Sequence, residues 1–262
     1  MFTLKYAVLL LFTAASIVAA LVLCGKFIKA DEGRKRVFIA IIIFNSVTEL
    51  LKLINDIIPA SFSAIGAPYL PGYALPFYLC SMFLWAIPVA VFAKGKFKGP
   101  ARAFVVFYGL FSGFAPFLVP DMILGDPNAW TPFLAQTILP LRSFLYHGSL
   151  IFCAVYLGTA GWFKPDIKRC FYASAMMAAI LVLTLLLNLY TGTSFTNITL
   201  SADNLPLFIG LIETMGFVPF CLLIIVTLCL VPFIFYAVFL LVKKIAAAVK
   251  GTRMDKADTV GQ

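Results

Sequence analysis

Seven long apolar stretches constrain this chain more than any other feature of its sequence. Each can cross the hydrocarbon layer as a helix, which needs about 20 residues and satisfies its own backbone there. The stretches lie near residues 4–24, 37–58, 76–93, 102–120, 141–162, 171–190 and 216–242. With 63% hydrophobic and only 12% charged residues among 262, no room remains for a separate soluble domain. We therefore expect an all-α membrane protein, a bundle of seven transmembrane helices forming one polytopic domain over residues 1–262.

The basic residues are distributed unevenly among the connections between these stretches. Seventeen of the 20 Lys and Arg residues fall in alternate connections and in the C-terminal tail. The other connections, 59–75, 121–140 and 191–215, contain none. Because basic connections stay cytoplasmic, we expect a multi-pass protein of the cell membrane with its N-terminus outside and its C-terminus inside. Segments 130–140 and 205–214 are apolar enough to lie at the membrane edge as short helices.

The residue content excludes several classes of site. The six cysteines include no Cys-x-x-Cys pair, which makes a disulfide framework an unfavourable interpretation. A single histidine, His147, cannot supply a three-histidine zinc site, and no phosphate loop or dinucleotide fingerprint is present. The net charge of +9 suits the anionic inner leaflet better than a nucleic acid. We predict no metal, no cofactor and no nucleic-acid partner; membrane lipids are the expected partners, and the sequence names no protein partner.

The second apolar stretch carries a stripe of polar residues. Asn45, Glu49, Lys52 and Asp56 are spaced four, three and four residues apart, which places them on one helix face. Glu49 can pair with Lys52, and Lys52 with Asp56. Charged groups within a span face the bundle interior or a wet cavity, so this stripe is a candidate site. A self-neutralising ion ladder that orients the helix is an equally acceptable interpretation.

Polar groups also occur near the outer ends of the other spans. Tyr78 and Cys80 begin the third span from the outside, Arg142 and His147 begin the fifth, and Asn188 ends the sixth. This shared depth predicts a pocket that opens toward the outer leaflet. The thiolate form of a cysteine is a good nucleophile. A nearby imidazole, or a position in the first turn of a helix, favours the thiolate over the thiol. A packing cysteine and a hydrogen-bonded histidine remain the plainer alternatives.

Two short motifs resemble a known family. The run Pro76-Phe77-Tyr78-Leu79-Cys80 resembles the Pro-Leu-His-Leu-Cys signature of the YwaF-like bacterial integral membrane proteins. Residues 188–195, Asn-Leu-Tyr-Thr-Gly-Thr-Ser-Phe, are similar to that family's Asn-Tyr-x-x-Gly-Thr-Asn-Tyr segment. His147 falls where the family carries a histidine, and the resemblance covers roughly residues 75–220. The family is similar to an animal transmembrane, cysteine-dependent acyltransferase that moves fatty acyl chains between phospholipids.

The resemblance implies Cys80 as the nucleophile and His147 as its base. Two positions depart from the family pattern, because Tyr78 replaces a histidine and Ser194 replaces an asparagine. The first departure removes a possible second base, although a tyrosine can still donate a hydrogen bond.

The leading hypothesis is therefore an acyltransferase of membrane phospholipids. Arg142 or Lys52 would hold the lipid phosphate, since each is a cation suited to that charge. Asn188 or Tyr78 would stabilise the oxyanion of the reaction. The alternative is a transporter or receptor for a small polar solute that uses the stripe of Glu49, Lys52 and Asp56. A purely structural partner protein is a third possibility.

Overall fold

The computed structural model of the chain describes residues 3–63, 78–119, 123, 138–191 and 206–260. For residues 55–63, 191, 206–208 and 250–260 it describes the backbone alone. This described part is all-helical, apart from short turns, as the sequence predicted. A short helix coincides with the predicted segment 205–214, whereas most of 130–140 lies outside the described residues. The α-helices are α1 Leu4–Phe27, α2 Asp31–Ser63, α3 Phe83–Phe92, α4 Lys98–Leu118, α5 Leu139–Thr159, α6 Ile167–Thr191, α7 Pro206–Met215 and α8 Phe217–Val260.

Within the described residues, five helices are long and apolar enough to cross a membrane: α1, α2, α4, α6 and α8. Each coincides with one of the predicted spans. Helix α5 has 21 residues, carries Arg142 and His147, and is not among those five. Helix α3 is apolar but has only 10 residues, so it rises about 15 Å. The structure therefore supports a multi-pass membrane protein.

Helices α4 and α5 form the centre of the bundle. Helix α4 packs against α3, α5, α6 and α8, and α5 packs against α1, α2 and α4. The outer helices expose many apolar side chains, as a lipid solvent allows; Leu50 on α2, for example, is 54% exposed. The centre is instead aromatic, with Phe104 and Tyr108 of α4 4.9 Å apart between ring centroids.

Two glycines let α4 and α5 approach each other closely. Gly109 and Gly113 lie one helical turn apart on the face of α4 that meets α5. A Cβ atom on Gly113 would lie 2.4 Å from Cγ1 of Ile151 and 3.0 Å from the carbonyl oxygen of His147. A Cβ on Gly109 would lie 3.2 Å from the carbonyl oxygen of Leu150. This is the small-residue spacing through which membrane helices pack by van der Waals contact.

A proline in α8 explains one contact between distant helices. Pro232 has no N–H, so the carbonyl of Leu228, four residues earlier, loses its usual helical donor. The hydroxyl of Tyr108 on α4 donates to that carbonyl at 3.0 Å. An unpaired carbonyl in hydrocarbon is unfavourable, so this hydrogen bond lets α8 contain a proline at membrane depth.

Candidate functional site

A buried carboxylate on α2 accepts hydrogen bonds from α2 itself, from α5 and from the turn before α3. Glu49, 7% exposed, accepts hydrogen bonds from Oγ of Ser81 at 3.1 Å and from Nζ of Lys52 at 3.2 Å. Its second oxygen accepts from a guanidinium nitrogen of Arg142 on α5 at 3.1 Å. We refer to Glu49, Lys52, Ser81 and Arg142 as the Glu49 cluster. The predicted pairing of Glu49 with Lys52 is present, and Arg142 joins it.

The spacing along α2 explains why this carboxylate is buried. Asn45, Thr48 and Glu49 lie on one face of α2 and are buried, whereas Val47 and Leu50 are exposed on the other side. The helix thus presents its polar face to the protein and its apolar face outward, which reverses the arrangement in a soluble helix. The side chain of Asp56, the last residue of the predicted stripe, lies outside the described side chains.

Helices α2 and α5 are joined by polar contacts at two levels. Nε of Arg142 donates to the carbonyl oxygen of Thr48 at 2.9 Å, next to its ion pair with Glu49. Two turns further along α5, Oγ of Ser149 donates to Oδ1 of Asn45 at 2.7 Å. These contacts fix the register of the two helices, so the position of Arg142 is defined by backbone as well as by charge.

Cys80 lies immediately before α3 rather than inside it. The sequence placed it in the first turn of a helix, but α3 begins at Phe83. The N–H of Phe83 donates to the carbonyl of Cys80 at 3.3 Å, three residues back, so this turn is wound more tightly than an α-helix. The same carbonyl accepts a hydrogen bond from the hydroxyl of Tyr146 at 3.0 Å. A contact from α5 therefore positions the Cys80 turn, and Ser81 ties it to Glu49.

His147 is buried on the inner face of α5, 8% exposed. Its Nδ1 lies 2.8 Å from the carbonyl oxygen of Ser143. Because a carbonyl only accepts, the neutral imidazole carries its proton on Nδ1 and keeps a lone pair on Nε2. The ring contacts Tyr146 and Phe117 edge-to-face, with centroids 5.6 and 6.4 Å away. This arrangement leaves Nε2 as the nitrogen that can accept a proton.

The predicted site residues are brought together in part. Tyr146 connects the two reactive candidates, because it precedes His147 on α5 and binds the carbonyl of Cys80. Among the contacts of the described residues, no hydrogen bond joins Cys80 to His147 directly. Lys52 lies 5.8 Å above the ring of Tyr78. Asn188 is buried near the end of α6, and its role as an oxyanion donor stays a prediction.

Two cations and one carboxylate meet in the Glu49 cluster. Lys52 and Arg142 supply the cations, and Glu49 supplies the carboxylate. The side chains of Lys52 and Arg142 remain 22% and 15% exposed, so neither is sealed from a ligand. Partly exposed lysine and arginine groups are suited to contact with a phosphate.

Sequence reasoning overlooked Tyr146, although it contacts Cys80. A tyrosine in an apolar stretch is usually a packing residue, and its hydroxyl reaches across 66 positions of sequence. Its place beside the only histidine of the chain was the one signal that could have drawn attention to it.

Comparison with known proteins gives one positive result. No curated protein and no solved structure matches the chain significantly. A family model of membrane proteins matches residues 1–237, which is most of the sequence. Together with the apolar helices described above, this match shows that the chain belongs to the TMEM164 family.

Proposed function

We propose that this protein is a membrane-embedded acyltransferase that acts on the acyl chains of phospholipids. Cys80 would be the nucleophile and His147 its base, in a pocket near the outer leaflet. The observation that carries the proposal is the hydrogen bond from Tyr146 to the Cys80 carbonyl, because it holds the cysteine turn against the helix that bears His147. The resemblance of residues 76–80 to the YwaF-like signature supplies the reaction class.

The proposal includes a topology. Seven spans, with α3 and α5 completing the five long helices, place every basic connection on the cytoplasmic side of the cell membrane. The N-terminus is then outside, and the Cys80 turn lies in the outer half of the bilayer. Impermeant thiol labelling of single cysteines introduced at Lys164 and Asn128 tests it. A cysteine at Lys164 should react only after the inner face is exposed, whereas one at Asn128 should react in intact cells; the reverse pattern would overturn the topology.

The reaction proceeds in two balanced steps. The imidazole of His147 takes the thiol proton, Cys80 attacks an ester carbonyl of a phospholipid, and the alcohol leaves with that proton as a lysophospholipid. The acyl chain is then a thioester on Cys80. The hydroxyl of a second lysophospholipid attacks the thioester, and its proton returns through His147 to the thiolate. No oxidant, metal or cofactor is needed.

The Glu49 cluster supports the positioning of the substrate. Its two cations, Lys52 and Arg142, suit the phosphate that a phospholipid carries close to its esters. Ser81 of this cluster directly follows the nucleophile in sequence, and its hydroxyl lies 3.1 Å from Glu49. A phosphate held by Lys52 or Arg142 would therefore lie near the thiol without a large movement of the backbone.

The test is a covalent adduct. Incubation with a phosphatidylcholine that carries a labelled acyl chain should leave that chain on Cys80, detected by mass spectrometry and removed by hydroxylamine. Cys80→Ala should abolish the adduct, while Cys229→Ala, at another half-buried cysteine, should keep it. His147→Ala should slow adduct formation at neutral pH by about 100-fold or more and recover partly at high pH, where a thiol ionises unaided. Equal acylation of all cysteines, or adducts indifferent to His147→Ala, would contradict the proposal.

A transporter or receptor for a small polar solute is the alternative hypothesis. It would use Glu49, Lys52 and Asp56 as an intramembrane relay or binding stripe. Glu49 already has three donors, and each would have to be exchanged during a transport cycle. Uptake of a solute that is lost in Glu49→Gln but kept in Cys80→Ala would favour this alternative.

A further inference from the structure

Two cavities lie side by side between α1, α2 and α5, away from the Glu49 cluster. The larger has a volume of about 440 Å³ and the smaller about 140 Å³. Cys24 lines both, so the two adjoin. Along each of the three helices, the smaller cavity lies nearer the basic connection 25–36 and the larger nearer the bundle centre.

The larger cavity is an apolar groove of defined length. Its wall on α1 runs from Thr13 to Cys24, which is about 16 Å at 1.5 Å per residue. Half the hydrocarbon thickness of a bilayer is about 15 Å. The groove therefore has the length of the acyl layer of one leaflet. Most of its lining is apolar, contributed by Ile17, Ala20, Val37, Ala40, Ile41 and Phe44.

The smaller cavity carries positive charge. Lys29 and Arg34 line it, and no acidic residue of the described part of the chain does. Tyr156 also lines it, but its hydroxyl oxygen is buried away from the cavity surface.

Asp31 lies next to the smaller cavity and offsets part of the positive charge of Lys29 and Arg34. Asp31 pairs with Arg34 at 2.9 Å and also accepts from the indole N–H of Trp162 at 3.1 Å. Asp31 itself is largely exposed and does not line the cavity. Lys29, whose Nζ donates to the carbonyl of Gly25, and Arg34 therefore border a space that suits a negatively charged acceptor.

We propose that these adjoining cavities form a binding site for one anionic phospholipid. Its phosphate lies against Lys29 and Arg34, and one acyl chain runs along the apolar groove toward the bundle centre. The lipid comes from the leaflet that borders residues 25–36. An amphipathic ligand of this length is the occupant that matches a basic pocket next to an apolar groove.

The phosphate end of this site is separate from the proposed catalytic residues, whereas the larger cavity reaches Gly148, next to His147. Tyr156, which lines the smaller cavity, follows His147 by nine residues on α5, about 13 Å along the helix axis. A phosphate in the smaller cavity thus lies at the opposite depth from the Cys80 turn. The bound lipid would hold α1 against α2 and α5, because α1 buries few of its own residues.

Intact-complex mass spectrometry of the purified full chain tests the proposal. The probes are dioleoyl phosphatidylglycerol, dioleoyl phosphatidylcholine and glycerol 3-phosphate in the same micelle. The wild type should retain phosphatidylglycerol in preference to both other probes. The double variant Lys29→Gln, Arg34→Gln should lose at least about tenfold in retention, the equivalent of one charge-assisted hydrogen bond. Lys35→Gln, in the same connection but outside the cavity lining, should retain lipid as the wild type does.

One further variant separates lipid loss from misfolding. Ala20→Phe should fill the groove and displace the acyl chain, whereas Ala19→Phe, exposed on a neighbouring face of α1, should not. Retention unchanged in the Lys29/Arg34 variant or in Ala20→Phe, equal retention of phosphatidylcholine, or displacement of the lipid by glycerol 3-phosphate at equal concentration would each overturn the proposal.

Discussion

Replacement of Gly113 by alanine tests the packing that holds the site together. The added methyl group would lie 2.4 Å from Cγ1 of Ile151 and 3.0 Å from the carbonyl oxygen of His147. The side chain of Ile151 can rotate, but the carbonyl belongs to the backbone of α5. The two central helices must therefore separate, and the separation occurs at the residue proposed as the base.

The magnitude follows from two opposing effects. Alanine is better than glycine in a helix interior by about 0.5–1 kcal/mol. An extra methyl group in a tightly packed interior costs about 1–3 kcal/mol through strain and backbone shifts. Because one of the two close atoms is backbone, we expect the upper part of that range. The net effect of Gly113→Ala should be a loss of about 1–2 kcal/mol in the free energy of unfolding.

Gly158→Ala is the matched control. Gly158 also lies in α5, is exposed, and would have no heavy atom within 4 Å of an added Cβ. This variant should be neutral or more stable by up to about 1 kcal/mol. Thermal unfolding of both variants in one detergent, followed by circular dichroism, should show Gly113→Ala melting several degrees lower, at about 2–4 °C per kcal/mol. A Gly113→Ala protein as stable as the control would refute the close helix approach.

Two other contacts give sharp expectations. Tyr108→Phe should lower the free energy of unfolding by about 0.6–1.7 kcal/mol, because it removes the donor to the Leu228 carbonyl that Pro232 cannot replace. An unchanged thermal melt would show that this carbonyl needs no donor. Arg142→Met should reduce stability by about 3–5 kcal/mol, since it removes both the ion pair and the bond to backbone. Lys52→Leu should cost less, because Arg142 still neutralises Glu49; a ranking in which Lys52→Leu is the worse variant in a detergent-titration assay would contradict it.

Only those contacts of the candidate site that lie within one helix were predictable from the sequence. The spacing of Asn45, Glu49 and Lys52 placed them on one face of α2, and the structure buries that face. The pairing of Glu49 with Lys52 follows from the same three-residue spacing. By contrast, nothing in the sequence indicates that Arg142, a candidate ligand for a lipid phosphate, pairs with Glu49, 93 residues away.

The amino-acid sequence by itself determined the class of protein and the positions of its helices. Apolar length is a property of a continuous segment, and in hydrocarbon a segment must satisfy its own backbone, so the five long helices could be located without any knowledge of their neighbours. The tight turn before α3, in contrast, shifted Cys80 out of the helix that its apolar surroundings had suggested.

Only the tertiary structure decided which helices pack together and which hydrogen bonds join them. The approach of α4 to α5 depends on Gly113 facing Ile151, and the bond from Tyr146 to the Cys80 carbonyl depends on the register of α5 against the α3 turn. Such contacts arise from three-dimensional packing among helices that are equally apolar, so hydrophobicity alone cannot choose between partners. Close packing and the need to pair each buried polar group make that choice, and both depend on residues far apart in the chain.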